Sequence, residues 1–286
     1  MAHKHLPVAF SKLQSLIQMK IRYAIALLLF TLPLASVDSV LRPEMVVQSG
    51  HTAVAVTALA ISPNGQLLAS GGNDGQVILW RTSTGRQLRN LRGALSPQQE
   101  PISAIGFSPN ASYLVAGAGA VLLMLDVTTG HELASLRMPA EITAATFSGD
   151  GKWLAWSTGG SLKLWRLPAD PSTWSHPADK GIQTVSGIPV GSHQTIFSLV
   201  FSHDSRWLAC GYSDGELIVF DTSATSAPHR LSGAREPIAA MAFGPGDSQF
   251  AAASANEVLL WDVANLSGPN PVSLAPVRRL PHPDLV

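Results

Sequence analysis

The sequence predicts an all-β protein built from five repeated units, and three observations lead to this prediction. Short apolar runs, each ending at a cluster of turn residues, follow one another over residues 50–280. The end of the first run in each unit recurs at intervals of 46, 40, 54 and 42 residues. A Trp, Leu or Phe near the end of the third run recurs at nearly the same intervals. Two markers that drift together along the chain indicate true internal repeats.

Each unit is expected to form a meander of antiparallel strands. In the first unit the strands begin near Val56, Leu67 and Val77, and a weaker fourth strand covers Arg86 to Leu91. The first-strand markers are Ile61, Phe107, Phe147, Phe201 and Phe243. The third-strand markers are Trp80, Leu125, Trp165, Phe220 and Trp261. Asp-Gly pairs between the second and third strands are typical of hairpin turns. The Gly71-Gly72 and Gly159-Gly160 pairs are likewise interpreted as turns, because neither opens a helix as a phosphate-binding loop does.

The units resemble WD40 repeats. Gly50-His51 opens the first unit and Trp261-Asp262 closes the last, as in that family, and the period agrees with about 40–45 residues. The resemblance implies a β-propeller in which each repeat supplies one four-stranded blade. The predicted domain covers residues 40–286, with repeats at about 50–93, 94–138, 139–188, 189–233 and 234–280, and the start of a sixth repeat at 281–286.

The ring of blades does not close in an obvious way at the sequence level. Residues 44–48 look like a fourth strand from a preceding unit, and residues 278–286 look like a fourth strand followed by a new opening. Three explanations stay open, namely a truncated reading frame, closure by five blades alone, or completion by a second copy. Truncation is favoured because an incomplete ring would expose sheet edges and an apolar blade face, which invite self-association.

The resemblance also implies a buried hydrogen-bond network in the first repeat. The family often links a His, a Ser or Thr, an Asp and the Trp in this way, and the matching residues are His51, Ser70, Asp74 and Trp80. A Ser, His and Asp together could be taken for a catalytic triad, but the resemblance favours a structural role. No catalytic, cofactor-binding or metal-binding residue is predicted.

The N-terminal residues 1–37 are predicted to be a secretory signal peptide. They carry four basic residues and no acidic ones, and an apolar run over residues 23–34 follows Lys20 and Arg22. The run is short for a membrane span, which needs roughly 20 residues, so export to the periplasm or extracellular space is favoured over a membrane anchor. The start at Met1 or Met19 and the cleavage point stay open.

Composition excludes several classes of protein. With 19 basic and 19 acidic residues, the chain lacks the positive charge that nucleic-acid binding normally requires. Its single cysteine, Cys210, rules out an intramolecular disulfide and is predicted to be a buried strand residue. The longest insertion, 167–190, contains Trp174 and His176, which either contribute to a partner-binding loop or fold back onto the blade.

These features together predict a non-catalytic, exported module that binds a protein or peptide partner. The alternatives are a propeller enzyme, the sensing part of a larger multidomain protein, and a truncated fragment without function. Fold alone does not decide between them.

Overall fold

A computed structural model of the chain describes residues 50–51, 55–91, 100–175, 182–185, 195–223, 227–264, 266 and 273–281. Over these ranges the chain forms five sheets in sequence order, called blades 1 to 5. The predicted all-β fold with four-stranded antiparallel blades is confirmed. The predicted signal peptide, the strand expected at 44–48, His176 and residues 282–286 lie outside the described residues.

The strands of each blade pair with their neighbours in chain order. Blade 1 contains β1 (Val56–Ile61), β2 (Leu67–Gly72), β3 (Val77–Arg81) and β4 (Gln87–Asn90). Blade 2 contains β5 (Ile102–Phe107), β6 (Tyr113–Ala118), β7 (Val121–Asp126) and β8 (Glu132–Arg137). Blade 3 contains β9 (Ile142–Phe147), β10 (Trp153–Thr158), β11 (Ser161–Arg166) and β12 (Ile182–Thr184). Blade 4 contains β13 (Ile196–Phe201), β14 (Trp207–Tyr212), β15 (Leu217–Asp221) and β16 (His229–Leu231).

Blade 5 contains β17 (Ile238–Phe243), β18 (Gln249–Ser254), β19 (Glu257–Asp262) and β21 (Arg278–Pro281). Between its third and fourth strands lies a two-residue strand, β20 (Ser273–Leu274), which pairs in parallel with β16 of blade 4. Strand β20 therefore covers part of the outer edge of blade 4. Short 3-10 helices occupy Pro171–Ser175 and Pro245–Asp247. No helix in the described part of the chain has the length and apolar character needed to cross a membrane.

Apolar side chains fill the space between neighbouring blades. Separate clusters join blades 1 and 2, 2 and 3, 3 and 4, and 4 and 5, and the first strands of these neighbours contact one another. Blade 4 buries Cys210 completely in this way, as predicted. On the face of blade 5 that points away from blade 4, the apolar cluster within the described ranges consists of Ala239, Ala240 and Ala253. Stacking of blades, rather than any one sheet, thus creates the core.

Side-chain hydroxyls fasten each blade to the next. Each donates to the carbonyl of the residue that begins the next blade's first strand. The pairs are Thr57 to Ile102, Ser103 to Ile142, Thr143 to Ile196 and Ser198 to Ile238. The corresponding positions in blade 5 carry Ala239 and Ala240. Because these bonds lie at the packed inner strands, they fix the register between blades as well as satisfying polar groups.

The interpretation of Gly71-Gly72 as a turn is wrong, because both residues lie in β2. A Cβ atom on Gly71 would lie 2.4 Å from Ile102 Cγ2 of blade 2. A Cβ atom on Gly72 would lie 2.5 Å from His51 Nδ1. The two glycines therefore admit neighbouring side chains rather than a change of chain direction. Gly159-Gly160 does form a turn, with φ of 54° and 79°.

We expect the stability of the protein to fall as the pH drops below about 6.5, the ordinary value for histidine. His229 is fully buried and packs edge-on against Trp207 at 5.4 Å between ring centroids. Burial lowers the pKa of His229, although the charge of Asp221 opposes this shift. The folded state therefore prefers neutral imidazole, and this contribution is complete above pH 6.5 and declines as the pH falls toward the lowered pKa.

A second decline in stability is expected as the pH falls below the ordinary pKa of a carboxyl group. Burial would raise the pKa of Asp247, but hydrogen bonds from His203 and Asp204 outweigh it and hold the pKa low. Its stabilising contribution is present above the unfolded value and is lost as the pH falls through the lowered one. Urea denaturation at pH 7.5, 5.5, 4 and 2.5 measures both declines, the first between pH 7.5 and 5.5 and the second between pH 4 and 2.5. Replacing His229 by Gln should flatten the profile between pH 7.5 and 5.5, and an unchanged profile would contradict the assignment.

Candidate functional site

The four side chains of the predicted network meet at one end of blade 1. His51 Nδ1 lies 2.9 Å from Asp74 Oδ1, and His51 Nε2 lies 2.9 Å from Ser70 Oγ. Trp80 donates its Nε1 hydrogen to Ser70 Oγ at 2.8 Å. With the imidazole hydrogen on Nδ1, His51 donates to Asp74 and accepts the hydroxyl hydrogen of Ser70. The chain of hydrogen bonds is then complete from the carboxylate to the indole.

This arrangement has the connectivity of a Ser-His-Asp triad, yet its surroundings do not suit a nucleophile. Ser70 is buried, and the His51 side chain is only 3% exposed. Ser70 Oγ already accepts a hydrogen bond from the Trp80 indole, and Gly50 packs against the Trp80 ring. A hydroxyl nucleophile needs open space for a substrate carbonyl beside it. The geometry therefore supports a structural role for the network.

Blade 4 shows what the network requires. Its second strand carries Cys210 and Tyr212 at the positions of Ser70 and Gly72. Gly72 has no side chain and so admits the His51 and Asp74 pair, whereas the Tyr212 ring fills that space with its own bulk. The Tyr212 hydroxyl is buried and has no hydrogen-bond partner among the residues that the structure describes, and burial raises its pKa. At these two positions blade 4 therefore carries the buried side chains of Cys210 and Tyr212 in place of the Ser70 hydroxyl and the bare backbone of Gly72.

Replacing Ser70 by Ala should destabilise the protein by about 1–3 kcal/mol, because the half-buried Trp80 indole and the enclosed His51 imidazole each lose a hydrogen-bond partner. Chemical denaturation followed by circular dichroism measures the loss. Ser135, exposed on the outer strand β8, is the matched control, and its replacement by Ala should cost no more than about 0.5 kcal/mol. Equal losses for the two variants would contradict a stabilising network.

Trp174 of the long insertion is buried, at 4% exposure. Its ring meets Tyr113 of blade 2 edge-on, with 4.9 Å between ring centroids, and its Nε1 donates to the Pro168 carbonyl at 3.1 Å. The insertion leaves blade 3 and packs back against β8 of blade 2. The sequence left open whether Trp174 faces a partner or folds back onto a blade, and in the structure its ring folds back onto blade 2. The partner-binding role of the loop as a whole stays a prediction.

By folding back, the insertion builds one wall of a groove between blades 2 and 3. The groove has a volume of about 490 Å³ and lies on the side that carries the turns between first and second strands. Apolar and proline residues form most of its walls. They include Pro109, Tyr113, Phe147, Leu167, Pro168 and Trp174. We call this feature the blade 2–3 groove.

Charged groups stand at one end of the blade 2–3 groove. Lys152, 67% exposed, lies 3.3 Å from Asp150. Burial would raise the pKa of Asp150, but hydrogen bonds from the Ser148 hydroxyl and the Lys152 amide, with the Lys152 charge, hold it below its usual value. Arg166 is exposed and lies over the Trp153 ring at 6.0 Å. Lys152 and Arg166 were not predicted, although each adjoins a strand tryptophan in the sequence, a pattern that could have drawn attention to them.

Metal-ligand groups do not gather in the described residues. No three His, Cys, Asp or Glu side chains there lie close enough together to hold an ion. The His203 and Asp247 pair, 2.7 Å apart, joins the turns of blades 4 and 5 instead.

Comparison with known proteins agrees with this architecture. The family model "WD domain, G-beta repeat" (WD40) matches residues 43–81 and 184–221. A curated relative, small ribosomal subunit protein RACK1 of Caenorhabditis elegans, is 35% identical over 114 residues, covering 39% of this chain. The chain spans about a third of that relative's length, since the match covers 33% of it.

A solved structure shares the fold. The β-propeller domain of Cps50 (Swd1) from Myceliophteria thermophila superposes with a TM-score of 0.63 at 18% sequence identity, covering 79% of this chain and 72% of that one. This identity is low enough that the likeness concerns the fold alone. The matched segments contain the His51 network of blade 1 and the first three strands of blade 4. The family model thus identifies WD40 repeats at two places in the chain, and the described residues fold as a β-propeller of five blades.

Proposed function

We propose that this protein is an exported, non-catalytic WD40 module that binds a protein partner. The observation that carries the proposal is a rigid stack of blades with a preformed groove in its side, walled by an insertion that the repeat itself does not require. Connections on a rigid scaffold are common positions for binding residues. The Caenorhabditis elegans relative is named as a ribosomal subunit protein, so a related chain works within an assembly.

Site-specific photocrosslinking in the producing cell tests this function. A photoreactive phenylalanine would replace exposed residues one at a time, namely Ala169 in the groove wall, Glu141 at the opposite ends of the strands, and Val277 just before β21. A binding module should give a discrete adduct with another protein from at least one position. An adduct of twice the chain mass would instead identify self-association through an open propeller edge. Absence of any discrete adduct from all three positions would contradict the proposal.

The non-catalytic assignment has its own test. A fluorophosphonate probe labels serine nucleophiles that a neighbouring histidine activates. The folded protein should stay unlabelled, because Ser70 is enclosed and already bonded to Trp80. Labelling that disappears in the Ser70→Ala variant would show that the triad-like network is reactive, and the assignment would fail.

Export is proposed from the basic and apolar character of residues 1–37. Cell fractionation with intact mass spectrometry should find the protein outside the cytoplasm and shortened near residues 36–39. Full-length protein in the membrane fraction would favour an anchor formed by residues 23–34. Full-length protein in the cytoplasm would contradict export.

A further inference from the structure

We propose that the blade 2–3 groove binds an extended peptide segment in which an acidic residue lies beside an apolar one. The inference rests on the proposed function and assigns a position and a chemical class to the partner. It follows from three properties of the groove, which are its shape, its wall chemistry and its charge.

The groove is held open by buried anchors rather than by mobile side chains. Trp174 fixes the insertion against Tyr113, and the Nε1 bond to Pro168 closes the loop that carries the wall. The opposite wall is the turn at Ser108–Ser112, where Asn110 Oδ1 accepts hydrogen bonds from both serines. A partner therefore meets a preformed surface, and little ordering of the protein opposes binding.

The walls favour apolar contact. Pro109, Pro168 and Pro171 present ring carbons and have no amide hydrogen to offer, while Phe147 and Leu167 lie between them. A small polar ligand would find few donors here. An extended chain can place one side chain among the prolines while its neighbours follow the groove, as peptides do on proline- and aromatic-lined surfaces.

The charged residues at the end of the groove determine which charge the bound peptide should carry. Asp150 is the single acidic residue among the described groove walls, and Lys152 already neutralises it. Arg166 has no carboxylate partner among the described residues, and its guanidinium rests over Trp153. Among the described residues, the Arg166 charge is thus left unpaired beside an apolar surface. A peptide carboxylate would satisfy it with charge-assisted hydrogen bonds.

The test is selection from a random peptide library displayed on phage, using the folded chain. Enriched sequences should combine Asp or Glu with a Leu, Phe or Tyr within one or two positions. Synthetic versions of the enriched peptides would then be measured by fluorescence anisotropy. Replacing Arg166 by Glu should weaken binding by about tenfold or more, and affinity should fall with added salt. Replacing exposed Ala169 by Trp should abolish binding by filling the groove.

Arg81 is the matched control, because it is also exposed and follows Trp80 in blade 1 as Arg166 follows Trp165 in blade 3. Replacing Arg81 by Glu makes the same charge change away from the groove and should leave binding unchanged. The variants' circular dichroism spectra and melting temperatures must match those of the unaltered protein.

The outcomes separate this inference from the proposed function. Peptides that bind the Ala169→Trp and Arg166→Glu variants as tightly as the unaltered protein would overturn the groove while leaving a binding module in place. Enrichment of basic peptides would overturn the assigned chemistry. A library that yields no specific binder, together with the absence of photocrosslinked adducts, would overturn both.

Discussion

Replacing Trp174 by Ala should lower the free energy of unfolding by about 3–5 kcal/mol, the range for removing a large buried aromatic side chain. The ring is almost completely buried between blades 2 and 3 and makes an edge-on contact with Tyr113. Its loss leaves a cavity and releases the insertion from blade 2. Urea denaturation followed by circular dichroism measures the change, and peptide binding to the blade 2–3 groove should weaken in parallel.

Two neighbouring variants separate packing from hydrogen bonding. Replacing Trp174 by Phe keeps most of the ring contact and removes the donor to Pro168, so the loss should be about 1–2 kcal/mol. Replacing exposed Thr173 by Ala removes only its bond to the Asp170 carbonyl and should cost about 0.5–1 kcal/mol. A loss below about 1 kcal/mol for the Ala variant at position 174 would show that the insertion does not hold these blades together.

The strands could be predicted because their signals are local. All five first-strand markers, from Ile61 to Phe243, are the last residues of the strands that they were expected to end. Each first strand has six residues, and its side chains alternate between its two faces. The apolar pattern that predicts the strand is therefore contained in six consecutive residues. The contacts of His51 with Ser70 and Asp74 were indicated by the family resemblance rather than by the residues themselves.

The groove and the strand β20 could not be predicted for the opposite reason. The groove exists because Trp174 meets Tyr113 of another blade, and no local pattern encodes that meeting. Strand β20 has two residues, too few to show alternation, and it pairs with a distant strand. The hydroxyls of Thr57, Ser103 and Thr143 did offer a signal, since each is the second residue of a first strand. Their repetition at one register position could have indicated contacts between blades.

Replacing Gly117 by Val should destabilise the protein by about 3 kcal/mol or more, toward the upper end of the range for overpacked interiors. A Cβ atom on Gly117 would lie 2.6 Å from Ile142 Cγ2 and 2.9 Å from Ile142 Cβ, both in blade 3. These distances are far below van der Waals contact, so blades 2 and 3 would have to move apart. The hydrogen bond from Ser103 to the Ile142 carbonyl lies at the same contact and would be strained or lost.

The Ala variant at position 117 gives a sharper test, because the sign of its effect depends on this contact. In a β-strand, replacing Gly by Ala normally stabilises by about 0.4–1 kcal/mol through the unfolded state. Overlap with Ile142 should reverse that sign and produce a loss of about 1–3 kcal/mol. Gly106, in β5 of the same blade, is the matched control. The nearest atoms to its added Cβ are Val115 Cγ1 at 3.3 Å and the Ala145 carbonyl oxygen at 3.4 Å. Its Ala variant should change stability by less than about 1 kcal/mol.

Blades 3 and 5 show that glycine is not required at this position in every blade. Ser157 and Ala253 occupy it there and are buried with their Cβ atoms in place. Glycine at 71, 117 and 211 instead lies against Ile102, Ile142 and Ile238 of the following blade. The close approach is therefore specific to three of the four described interfaces. If the Ala variant at 117 proved as stable as the unaltered protein, blades 2 and 3 would have to be less tightly packed than these distances require.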